Sequence, residues 1–224
     1  ASVMKLAPRV LPRGFNFVII STMSKEKLEN FSDTQKSEQY SVFESLFSKI
    51  LNAEGDFIEY REDVPKEEFF DYLVREKKVL LHGSNDQHIQ ELKPRQANCR
   101  SKKFGNMRGV YATNDPVLPI FHAVIDKGRF KGASVSAVDT ETDESGTVQK
   151  QYRFKVNKEM WEIQPWSEGV VYILPKESFE QGIDDDGEPV EEWISKTPVK
   201  PLAKLKVLPA DFRFLKDIEI IEKE

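Results

Sequence analysis

The stretch VLLHGS (79–84) ends an apolar run with an imidazole, a backbone unit that has no side chain, and a hydroxyl: His82, Gly83 and Ser84. An imidazole can hydrogen-bond a hydroxyl or an amide, and glycine lets a ligand come close to the backbone. Further along, GVYATND (109–115) delivers Tyr111, whose ring offers a flat face to a heteroaromatic ring. The helix expected after it begins with unsatisfied N–H groups. Between the two stretches lies KPRQANCRSKKFGNMR (93–108), with Lys93, Arg95, Arg100, Lys102, Lys103 and Arg108 and no acid. Arginine and lysine are common phosphate ligands, and Arg95 and Arg108 flank this loop, within reach of a ligand phosphate. The alternative reading of the loop is a solvated basic segment.

Other reactive side chains form no constellation. His88 and His122 have no spacing that commits to a metal, and His122 can pair with Asp126 one helical turn on. DDDG (184–187) lacks the alternating ligands and terminal glutamate of a calcium loop and reads as a solvated turn. Cys99, the single cysteine, has no adjacent histidine to make it a nucleophile. Trp161 and Trp166 are expected to pack a second sheet.

Periodicity supplies the elements that must hold these groups. FNFVIIST (15–22) reads as a buried strand. Ser32 or Asp33 can open a helix over 36–52, with Tyr40, Phe43, Leu46, Phe47, Ile50 and Leu51 at helical spacing. Pro65 starts a second helix with Phe69, Phe70, Leu73 and Val74 on one face. A strand over 78–82 and another over 109–113 carry the two motifs. Asn114 or Asp115 caps a buried helix with Pro116 and Pro119 in its first turn. Strands follow at 133–138, 148–156, 160–163, 170–174 and 202–208, and the acidic stretches DTETDES and DDDGEPVEE interrupt them as exposed loops. Helices gather in the front half and strands in the back half, which predicts an α+β fold.

His-Gly-Ser on one strand, then GVYATND leading into a buried helix, resembles the ADP-ribosyltransferase superfamily. The match is to the branch with a His–Tyr–Glu signature that includes the poly(ADP-ribose) polymerases. It spans roughly residues 78–175. The resemblance implies ADP-ribosyltransferase-like split antiparallel β-sheets with flanking helices. It also implies a domain over 64–224, with residues 1–63 as a helical and strand extension packed on it. NAD would be the substrate. His82 would bond a ribose hydroxyl, the Gly83 backbone the nicotinamide amide with help from Ser84, and Tyr111 would stack on the ring. The signature's glutamate falls on Glu168 in SEGVVYIL; Glu162, Gln164, Glu191 and Glu192 are alternatives. A carboxylate is needed there because positive charge develops on the sugar as nicotinamide leaves. With a carboxylate in place the expected activity is ADP-ribose transfer to an unknown acceptor, whether protein, nucleic acid or small molecule. Without one, the fold would be a non-catalytic nucleotide- or partner-binding module. A third possibility is a structural or interaction protein with no open cleft.

The totals bound these expectations. The 224 residues carry a formal charge of −5, and a chain living on nucleic-acid phosphates usually has a basic excess. Fifteen Phe, six Tyr and three Trp supply a core. No apolar run approaches the roughly 20 residues that span a bilayer. A lone cysteine fits a reducing compartment, so a cytoplasmic location is expected. The opening ASVMKLAPRVLPRG has no long apolar core and reads as an edge strand or a remnant rather than a secretory signal.

Overall fold

The structure, a computed structural model, describes residues 25–97, 106–126, 128, 134–142, 148–183 and 187–221. The chain divides into two units, Ala1–Val42 and Phe43–Glu224. The strand expected over 15–22, Cys99 and the basic residues Arg100, Lys102 and Lys103 lie outside the described residues.

Helix α1 spans Lys25–Leu51, so it starts before Ser32 and Asp33, which do not open it. Its expected stripe is only partly used: Phe43, Leu46 and Ile50 are buried, while Tyr40 and Leu51 are exposed. Helix α2 (Lys66–Glu76) begins after Pro65 and buries Phe69, Phe70, Leu73 and Val74, as its single apolar face requires. Each such side chain contributes about 1.5–3 kcal/mol on leaving water.

Ten strands follow among the described residues: β1 (Leu80–Ser84), β2 (Arg95–Gln96), β3 (Arg108–Thr113), β4 (Ser134–Thr142), β5 (Val148–Asn157), β6 (Gly169–Leu174), β7 (Glu180–Ile183), β8 (Pro189–Ser195), β9 (Ala203–Val207) and β10 (Glu219–Ile221). Helices α3 (Leu118–Val124) and α4 (Lys158–Ile163) interrupt them. The larger sheet runs β7-β8-β3-β1-β6-β9 with β2 joined to β3; the smaller runs β10-β5-β4. All neighbours are antiparallel except β10 and β5. The architecture is α+β, as the distribution of patterns predicts.

Three elements depart from expectation. His82, Gly83 and Ser84 are not at a sharp break; they lie within β1 and pair with Tyr172, Val171 and Val170 of β6. MWEI is not a strand but most of α4, ended by Gln164 in the left-handed region (φ 48°). A short apolar run has no period long enough to separate the two states. The acidic stretches are partly strand. Asp139 pairs with Gln151 in β4–β5, and an ion pair to Arg153 accommodates its charge at the surface. Glu191 and Glu192 belong to β8.

Alternation along β1 and β6 sorts the core onto two faces. Leu81, Val171 and Ile173 join the main cluster with α2 and α3; Leu80, Val170, Tyr172 and Leu174 form a second cluster with Leu92, Val110 and Val199. Among the described residues no helix is long and apolar enough to cross a membrane.

Candidate functional site

Helix α3 presses directly on β1. A Cβ at Gly83 would stand 1.9 Å from the carbonyl oxygen of Pro119, and one at Gly169 would stand 1.9 Å from that of Ala123. Glycine at these positions is what lets helix and sheet meet. The start of α3 is held by Asp115, which is fully buried and whose Oδ1 accepts the N–H groups of Val117 (2.8 Å) and Leu118 (2.9 Å). Asp115, rather than Asn114, does the capping.

On the other side of β1 the sheet splits. β1 pairs with β3 at one position, Leu81↔Thr113, whereas two residues of β2 pair further down the same strand, Arg95↔Gly109 and Gln96↔Arg108. Where β3 passes from one neighbour to the other there is a pocket of 230 Å³. His82 and Ser84 line it from β1, Gly109 and Tyr111 from β3, and Glu91, Lys93 and Arg95 from the connection between β1 and β2. In the register Leu81↔Thr113, alternation turns the His82 and Tyr111 side chains to opposite faces of the sheet. Both nonetheless line this pocket.

The Nδ1 of His82 lies 2.7 Å from the Tyr111 carbonyl oxygen. A carbonyl only accepts, so Nδ1 carries the proton in this contact. The ring thus serves a backbone group that falls in the interrupted ladder. The Tyr111 hydroxyl accepts the Met107 N–H and donates to the Met107 carbonyl, both at 3.0 Å, which fixes the phenol. Ser84 Oγ accepts the N–H of Asp86 at 3.2 Å. The Tyr172 hydroxyl donates to the Asp86 carbonyl at 2.6 Å, tying the following turn to β6.

The other expected site residues are placed elsewhere. Gly83 and Arg108 do not line the pocket. Glu168 precedes β6, and its Oε1 accepts from Gln87 Nε2 and Lys206 Nζ, each at 3.0 Å. Those bonds, Lys206 first, hold its carboxyl below the ordinary value. Glu162 faces Lys158 at 3.8 Å on α4, and Gln164 donates to the Trp161 carbonyl. Glu192 is exposed opposite Thr113. His122 Nε2 meets Ser136 Oγ at 3.1 Å. The carboxylate that does line the pocket is Glu91, which sits in a polar connection with no motif to single it out.

A second polar group centres on the buried Asp115. Asp115 Oδ2 accepts from Lys150 Nζ (3.0 Å) and Tyr152 OH (2.8 Å), and Lys150 also pairs with Glu191 Oε1 at 2.7 Å. This joins the cap of α3, the smaller sheet and β8. Burial pushes the Glu191 carboxyl up, against the pull of Lys150. Burial pulls the Lys150 amine down, but the bonds and charges of Glu191 and Asp115 outweigh it and leave it above its ordinary value. Burial, then Asp115, raises the Tyr152 hydroxyl. The available signal was in β5: Tyr152, Phe154 and Val156 share one face, and Lys150 continues that row inward.

A larger cleft of 690 Å³ is lined by Tyr60, Lys66, Glu67, Asp211 and Arg213, among others. Its facing charges already pair, Lys66 with Asp211 at 2.8 Å and Arg213 with Glu67 at 3.3 Å. Size alone does not make it the site; the smaller pocket holds the imidazole, hydroxyl, phenol, carboxylate and cations together. No family model, curated protein or solved structure matches this chain.

Proposed function

We propose that the chain is an NAD-binding ADP-ribosyltransferase-like protein, which transfers ADP-ribose to an acceptor and releases nicotinamide. The observation that carries the reading is that His82 and Tyr111, from two separate motifs, line one pocket with Ser84 and Arg95. The gap between β1 and β3 and the predominance of antiparallel pairing fit the split sheets of that superfamily.

A pocket of 230 Å³ is below the about 300–1,000 Å³ of a site that encloses a drug-sized ligand. It takes the nicotinamide–ribose half, and the pyrophosphate lies across the lip at Lys93 and Arg95. In the reaction the bond between sugar C1′ and the pyridine nitrogen breaks. Its electron pair goes to nitrogen, and neutral nicotinamide leaves. The sugar cation is then captured by a lone pair of the acceptor, which gives up its proton. The His82 imidazole hydrogen-bonds a ribose hydroxyl, and the fixed dipoles and charges of the pocket stabilise the cation.

The runner-up is a nucleotide-binding module without turnover. It is favoured by Glu168, whose Oε1 is committed to Gln87 and Lys206 and which lies outside the pocket lining. Calorimetric titration with NAD, followed by chromatography of released nicotinamide, separates the two. The transferase reading expects binding that weakens in His82→Ala and measurable nicotinamide release. Binding without release favours the module; no binding removes both.

A further inference from the structure

Among the described residues the pocket contains one carboxylate, that of Glu91, and the order of charges around it is informative. Glu91, Lys93 and Arg95 occupy alternate positions, and all three line the pocket. Leu92 between the first two is buried, and its backbone is fixed by reciprocal bonds with Val199, Leu92 N–H to Val199 O at 2.8 Å and Val199 N–H to Leu92 O at 2.9 Å. Anchoring Leu92 inward sets the direction of its neighbours. His82, Ser84 and Tyr111 line the same pocket. A single ligand filling it therefore meets an imidazole and hydroxyls from β1 and β3. From the connection between β1 and β2 it meets a carboxylate followed by two cations.

Among the described residues the Glu91 carboxylate makes no hydrogen bond or ion pair, whereas Glu168 is engaged by Gln87 and Lys206 and Glu191 by Lys150. A carboxylate accepts and does not donate, so its natural partner is a ligand's hydroxyl hydrogens. Lys93 and Arg95 prefer the oxygens of a phosphate. A ribonucleotide carries both features, hydroxyls on its sugar and a phosphate beside them.

We propose that Glu91 is the ligand-contacting carboxylate of this pocket. It accepts hydrogen bonds from the ribose hydroxyls of a nucleotide whose phosphate rests on Lys93 and Arg95. The inference rests on the proposed nucleotide-binding function and assigns the carboxylate to a residue outside the recognised motif.

The test uses the full chain and nicotinamide mononucleotide in its ribo and 2′,3′-dideoxy forms, titrated into wild type and Glu91→Gln. Hydrogen bonds to charged groups are worth enough that the ribo form should bind about tenfold or more weakly to the variant. The dideoxy form should bind wild type and variant equally. Glu91→Asp should recover part of the loss, and both variants should melt with the wild type, because no described contact is broken. Equal binding of the ribo form to wild type and Glu91→Gln overturns the assignment and leaves the nucleotide reading intact. An equal loss for both forms also overturns it, because the effect then does not run through the hydroxyls. Failure of the wild type to bind either form removes the nucleotide reading and this assignment with it.

Discussion

The imidazole of His82 and the carbonyl of Tyr111 are joined at 2.7 Å across the point where β1 and β3 part. A side chain thus takes the place of a missing ladder bond, and the same residue lines the pocket. Two roles follow for one residue, and two substitutions separate them. His82→Ala leaves the carbonyl without its donor and should cost about 1–3 kcal/mol in urea unfolding. His82→Asn keeps a donor near the Nδ1 position and should recover much of that stability. Neither variant keeps an imidazole in the pocket lining, so both should weaken NAD binding.

Gly83→Ala, like Gly169→Ala, should be among the most damaging single methyls in the larger sheet. Its Cβ meets the Pro119 carbonyl carbon and oxygen, which are backbone and cannot rotate away. Either α3 lifts or β1 shifts, and the loss should be about 1–3 kcal/mol or more. Chemical denaturation measures it, and an undiminished midpoint would mean that the helix does not sit on the strand.

Asp115 satisfies two backbone N–H groups, an amine and a phenol while fully buried. Asp115→Ala removes the cap and leaves Lys150 and Tyr152 facing a void. A loss of about 3–5 kcal/mol is expected, the range for breaking a buried pair by removing one partner. Lys150→Met should cost less, because the Tyr152 and backbone bonds to Asp115 remain.

Glu191 gives a pH signature. Burial raises its carboxyl above 4.5, so the folded protein keeps this proton where the unfolded chain has released it. Its contribution is complete below 4.5 and is lost as pH rises through the folded value. The difference in unfolding free energy between Glu191→Gln and wild type should therefore move in the variant's favour as pH rises from 4 to 7. A difference constant across that range would mean that Glu191 titrates like an exposed acid.

The parts of the fold that were legible in the sequence carry a long single period. Phe69, Phe70, Leu73 and Val74 can be placed only on one helical face, and VVYIL (170–174) is too apolar to lie anywhere but in a central strand. What was not legible depends on neighbours distant in the chain. MWEI is too short to show a period, and only its packing makes it helical. The acids of β4 and β8 looked like loop residues because their compensating cations, Arg153 and Lys150, come from another strand. Of the site, His82, Ser84, Tyr111 and Arg95 were visible as motif and charge. Glu91 was not, because what distinguishes it is the Leu92–Val199 bridge that turns it toward the pocket.

The central claim is that His82 and Tyr111 grip one ligand together. The most direct measurement is an NMR titration of NAD into protein labelled on the histidine and tyrosine rings. The account predicts that the His82 and Tyr111 resonances shift along one isotherm while those of His88 and His122 stay in place. Resonances of His82 and Tyr111 that do not move, or that move with different affinities, would contradict it.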